Sequence, residues 1–156
     1  MLAACGGGGG GDGAPPVTPS AEFAAAAATI APAAASGDLV VSLRSTSTSP
    51  PALLEVHVEL PPELQLASQD RLTAIAPVSV DGDFHGDRFV VLCGDSTNPS
   101  AAPLPVADLF RLRLQPTEPR QPGTYTVTLQ GLRAATSAGA DVPLAATAFP
   151  VTVTVE

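Results

Sequence analysis

Three short stretches bring together side chains of the kind that do chemistry. DGDFHGD, Asp81 to Asp87, sets Asp81 and Asp83 at the first and third positions of a calcium-binding loop, Gly86 at the sixth, and adds Asp87 as a further carboxylate. Such a loop needs an oxygen ligand at its fifth position and a bidentate glutamate at its twelfth. Here those places hold His85 and Leu92, so Asp81, Asp83 and Asp87 are only partial calcium candidates, and the plainer reading is a polar hairpin loop. Glu55, His57 and Glu59 alternate in LLEVHVEL, and on a strand they share one face at ~6.7 Å spacing. His57 and one carboxylate could begin a metal site, yet no second histidine is placed to complete it. The row reads as a solvated outer face. Gly94-Asp95-Ser96 presents a serine, but a serine nucleophile needs a histidine base and a strand-to-helix elbow. Both histidines, His57 and His85, lie upstream, and no helix pattern follows. With no nucleophile, base or metal set assembled, the sequence reads as that of a non-catalytic protein without a cofactor.

The two cysteines, Cys5 and Cys93, are too few for a disulfide framework or a cysteine-based zinc site. Cys93 shares an alternation with Phe89 and Val91 and is expected in the core as a small hydrophobe. Cys5 stands elsewhere: Leu2-Ala3-Ala4-Cys5 precedes six glycines, Gly6 to Gly11, and then DGAPPVTPS. Glycine runs make a flexible tether that stiffens where prolines begin, and residues 6–20 have no apolar periodicity to fold on. Leu2-Ala3-Ala4-Cys5 resembles the lipobox of bacterial lipoproteins, in which the cysteine becomes the lipidated first residue. That resemblance implies an extracytoplasmic protein anchored through Cys5 to a bacterial membrane or cell surface. Only four residues precede Cys5, fewer than the basic and apolar regions of a secretory signal require. The lipobox therefore implies a start further upstream or a trimmed leader.

The elements that would position these residues follow from composition and period. A chain of 156 residues fits one domain with a tail, here residues 1–20 as lipobox remnant and linker and 21–156 as the folded part. The net charge is −8 and all seven basic residues are arginine, with no basic stripe to displace counterions from phosphates; nucleic acid is excluded as a partner. No run reaches the ~18 apolar residues of a membrane span. From Asp38 onward the hydrophobic period is two. Leu54, Val56, Val58 and Leu60 oppose Glu55, His57 and Glu59; Phe110, Leu112 and Leu114 oppose Arg111, Arg113 and Gln115. Tyr125, Val127 and Leu129 oppose threonines, as do Val151, Val153 and Val155. Further strands read at Leu39–Arg44, Leu72–Val80 and Arg88–Cys93. Half-buried strands separated by the 17 prolines and 14 glycines predict an all-β, antiparallel two-sheet β-sandwich. Phe23–Ile30 is the exception, since its alanines favour a helix, with Ser20 as a cap.

Several pieces, taken in order, resemble the cohesin domain of bacterial cell-surface and cellulosome proteins. They are ATIAPAAASGDLVVSLRSTS, ALLEVHVELPPEL and DLFRLRLQPTEPRQPGTYTVTLQGLRAATSAGADVPL, within residues 23–156. The resemblance implies a jelly-roll, immunoglobulin-like sandwich of about nine strands, with a first edge strand near Ala27–Ala31. It also implies a scaffold module that holds another protein on a sheet face. That face would be the outer surface of the sheet containing the third strand, offering Glu55, His57 and Glu59. Arg111 and Arg113 are expected in the same sheet, complementing those carboxylates. Where cohesins commonly carry Tyr-Asp-Pro after the third strand, this chain reads Glu59-Leu60-Pro61. The aspartate that helps some cohesins hold a dockerin has no counterpart, so the partner is an unidentified protein, a dockerin-like one among the options. The alternative is a carbohydrate-binding module taking a polysaccharide. Sugar sites lean on exposed aromatics, and with Phe89, Phe110, Tyr125 and Phe149 facing the core only Phe23 and Phe84 are left for that role.

Overall fold

Alternation writes itself into the fold as two sheets that share one dry interior. The computed structural model describes residues 18–46, 49–95 and 100–156; Cys5 with its glycine run, and Ser96, lie outside them. Among the described residues there are eleven strands: β1 (Ala21–Ala25), β2 (Ala28–Ile30), β3 (Gly37–Thr46), β4 (Leu53–Glu59), β5 (Leu64–Leu66), β6 (Leu72–Ala74), β7 (Val80–His85), β8 (Arg88–Cys93), β9 (Asp108–Pro116), β10 (Gly123–Ala135) and β11 (Phe149–Val155). The five-stranded sheet runs β1-β3-β9-β5, with β6 on the same side of β9 as β5. The six-stranded sheet runs β2-β11-β10-β4-β8-β7. Every pairing is antiparallel except β2 on β11. This is the expected all-β sandwich, with two more strands than the nine anticipated.

The extra strands come from places where the chain changes sheet. Alanine-rich Phe23–Ile30 does not form a helix: β1 edges one sheet and β2 the other, and Phe23, Ala28 and Ile30 turn inward. Burial of those side chains outweighs the few tenths of a kcal/mol by which alanine prefers a helix. The expected edge strand near Ala27–Ala31 is β2. The strand expected over Leu72–Val80 is broken in two. β6 ends at Ala74 on β9, a turn closed by Val78 N–H donating to Ala76 O at 2.7 Å follows, and β7 starts at Val80 in the opposite sheet. Pro77, with no N–H to donate, falls in that break. The hairpin loop expected over Asp81–Asp87 shrinks to the two residues Gly86 and Asp87, and Asp81 and Asp83 belong to β7 itself. Gly86 at φ 69° is the left-handed first position that a type II′ turn demands.

The inner faces close over Leu54, Val56 and Val58 from one sheet and Leu39, Val41, Phe110, Leu112 and Leu114 from the other, all at most 1% exposed. Cys93 joins them, and burial pushes its thiol up to about 12. At the pole where β9 turns into β10, Arg120 ties distant segments together. Its guanidinium donates to the carbonyls of Ala34 (2.8 Å), Ile30 (3.0 Å), Ala31 (2.7 Å) and Glu156 (2.9 Å).

Candidate docking surface

The outer surface of β10-β4-β8-β7 is assembled by register. Glu55 on β4 pairs with Leu92 on β8, which pairs with Asp81 on β7; one step along, His57 pairs with Val90, which pairs with Asp83. On the other flank of β4, Arg133 of β10 stands opposite Glu55, Gln130 opposite His57 and Thr128 opposite Glu59. Two apolar side chains, Leu92 (46% exposed) and the half-buried Val90, thus lie between rows of charged and polar groups. Glu55, His57 and Glu59 do share this face, as their alternation predicts.

Local bonds hold the charged row in place. His57 Nε2 lies 2.9 Å from Glu55 Oε1, and Gln130 Nε2 donates to Glu59 Oε2 at 2.7 Å. The ladder between β10 and β4 slips by one residue between Gln130 and Arg133. Gly131 occupies this bulge at φ 60°, and a Cβ there would fall 3.1 Å from His57 Nδ1. A left-handed position packed against a ring selects glycine, and the bulge sets Arg133 opposite Glu55 in the ladder. At the same end of the face a cavity of about 230 Å³ opens, floored by Leu53, Leu54, Cys93 and Ala134 and rimmed by Glu55, Arg133 and Asp141.

Arg111 and Arg113 are not part of this face. β9 pairs with β3, β5 and β6, so both arginines project from the five-stranded sheet on the opposite side of the sandwich. There Asp38 neutralises them: Arg111 Nη1 lies 3.4 Å from Asp38 Oδ2, Arg113 Nε 3.2 Å from Asp38 Oδ1, and Arg113 Nη1 3.7 Å from Asp70. Alternation reports which side chains leave the core, not from which sheet; across the ladder from Glu55 stands Arg133, without an ion pair to it, and Glu59 is bonded by Gln130.

The calcium candidates are redistributed too. Asp81 and Asp83 sit on a strand, where each accepts the N–H of the following residue, Gly82 at 2.9 Å and Phe84 at 2.8 Å, while Asp87 is in the turn. Among the described residues no three His, Cys, Asp or Glu side chains are placed to hold a metal ion. Of the two aromatics left for sugar stacking, Phe23 is buried at 7% exposure. Phe84 is 49% exposed, with the Arg71 guanidinium 5.7 Å from its ring centre and 5.3 Å from that of Phe89. Leu92 and Val90 were legible as the outward residues of Arg88–Cys93, and Gly131 as a glycine inside a strand pattern. Arg133 had no such signal, because a bulge shifts its register.

No family model matches the sequence, and no curated protein matches it. Solved structures do. A cohesin module from a family 33 glycoside hydrolase of Clostridium perfringens has a TM-score of 0.67 at 11% identity, covering 89% of this chain and 100% of that one. A type I cohesin of Clostridium thermocellum, solved with a dockerin, gives 0.68 at 13% identity over 88% and 99%. A non-cellulosomal cohesin of the archaeon Archaeoglobus fulgidus gives 0.63 at 16% identity over 88% and 91%. This chain shares the fold of the cohesin modules.

Proposed function

We propose that this domain is a non-catalytic binding module that holds another protein on the outer face of β10-β4-β8-β7. The observation that carries the reading is the fold together with that face. Solved relatives in the fold include cohesin–dockerin complexes of Acetivibrio cellulolyticus and Clostridium thermocellum. The six-stranded sheet here offers an exposed Leu92 beside charged groups, the mix of apolar centre and polar surround typical of protein interfaces. The reading commits to a protein, not to a dockerin, since Glu59-Leu60-Pro61 stands where cohesins commonly have Tyr-Asp-Pro. The further part of the proposal is that Cys5 carries the lipid that keeps the module outside the cell, with residues 6–20 as its tether. Several acyl chains anchor firmly where a single one binds only marginally.

Two experiments test these parts separately. Immobilised domain is used to capture a binder from the extracytoplasmic fraction of the source organism, and the binder is then titrated against variants. Leu92→Glu should weaken its binding at least tenfold, while Arg44→Glu on the five-stranded sheet should leave it unchanged; the reverse pattern sinks the assignment of the face. Detergent partitioning and mass spectrometry of the N-terminal peptide from the native host should find an acylated Cys5. An unmodified Cys5 removes the anchor without touching the docking face.

A further inference from the structure

Each sheet of an open sandwich ends in strands with unpaired peptide groups, and such edges invite another strand. Here most are short or covered. β2, β5 and β6 have three residues each. β1 is bulged between Glu22 and Phe23, and its start is bridged by Leu144. β7 differs: it has six residues, lies at the end of the six-stranded sheet, and is flanked by the exposed Phe84 on one side and Leu92 on the other. A strand added here would find both length and apolar surface.

The direction of its peptide groups can be worked out. The two-residue turn makes His85 and Arg88 the first hydrogen-bonded pair, so by alternation Asp81, Asp83 and His85 bond to β8. The peptide groups of Val80, Gly82 and Phe84 therefore point to the open edge. Two of these outward donors are the ones the carboxylates take: Gly82 N–H donates to Asp81 Oδ1 at 2.9 Å and Phe84 N–H to Asp83 Oδ1 at 2.8 Å. Apart from the Val80 N–H at its start, the edge is left with carbonyl acceptors and two negative charges, a pattern that disfavours pairing with a second β-strand. Arg71 over the Phe84 ring adds a cation beside the remaining apolar surface.

We infer that Asp81 and Asp83 close the β7 edge to strand addition, and that a second copy of this chain pairs along β7 when they are removed. The test is sedimentation of the whole chain over a concentration series. The native protein should run as a 15.6 kDa monomer, and Asp81→Ala/Asp83→Ala should self-associate with at least tenfold higher affinity. Asp81→Asn/Asp83→Asn keeps an acceptor oxygen for each N–H and should stay close to the native behaviour. An alanine variant that remains monomeric overturns the inference. So does an asparagine variant that associates as strongly as the alanine one, since the hydrogen bonds would then be irrelevant. Amide exchange in the native protein provides a reading independent of whether the variants fold. Gly82 and Phe84 should exchange at least several-fold more slowly than the outward amide of Val80, and equal rates overturn the proposed caps.

Discussion

The two outer faces of this sandwich are both charged, but they hold their charges differently. On the five-stranded sheet Asp38 sits between Arg111 and Arg113, and Asp70 meets Arg113 from the side. On the six-stranded sheet the carboxylates of Glu55 and Glu59 face His57 and Gln130, while Arg88 and Arg133 make no ion pair among the described residues and Leu92 stands exposed. A patch whose charges are neutralised in place, like that around Asp38, has little left to exchange with a partner. One with unpaired cations and an apolar centre can replace water with contacts on association. Charge by itself therefore did not mark the docking side. How the charge is balanced is what the proposed docking side rests on.

The contrast can be tested by substitutions of decreasing effect. Val56→Asp lies on the same strand as Glu55 and His57 but points inward at 0% exposure. An unpaired carboxylate in the core should cost about 4 kcal/mol or more and abolish the folded circular-dichroism signal. Gly131→Ala forces a side chain into a left-handed site beside His57; a loss of about 1–2 kcal/mol in denaturant unfolding is expected. That loss should be accompanied by a shift of the His57 ring resonances. Asp38→Ala leaves Arg111 and Arg113 facing each other without a counter-charge on the five-stranded sheet. Stability should fall by about 1 kcal/mol, and partner binding should be unchanged. Replacing Glu55, His57 and Glu59 together by alanine should alter stability by less than about 1 kcal/mol, as surface changes usually do, yet reduce partner affinity. If Asp38→Ala weakens binding more than this triple change does, the assignment of the two faces is inverted.

What could be read from the residues alone, and what could not, divides along a physical line. Period-two alternation is a property of single strands, so β4, β9, β10 and β11, and the outward placement of Glu55, His57 and Glu59, were legible. Sheet membership is a property of pairs. Arg111 and Arg113 alternate as cleanly as Glu55 and Glu59, and nothing local says that β9 lies across the sandwich from β4. The break between β6 and β7 carried a signal in Pro77, which disfavours a continuous strand. Helix propensity over Phe23–Ile30 is a local preference that inward-facing Phe23 and Ile30 override, and the strand expected near Ala27–Ala31 forms as β2 instead.

Arg120 is a contact with no local signature, and it carries a consequence for kinetics. Its partners lie 90, 89, 86 and 36 residues away along the chain. A bond set of that span closes only when β2, β11 and the start of β10 already lie side by side in the six-stranded sheet, so it is expected to form late on the folding route. Interactions absent from the transition state leave the folding rate alone and slow the way back. Loss of the guanidinium should therefore raise the unfolding limb of the chevron at unchanged slope while the refolding limb stays where it was, shortening the lifetime of the folded state without changing the speed of reaching it.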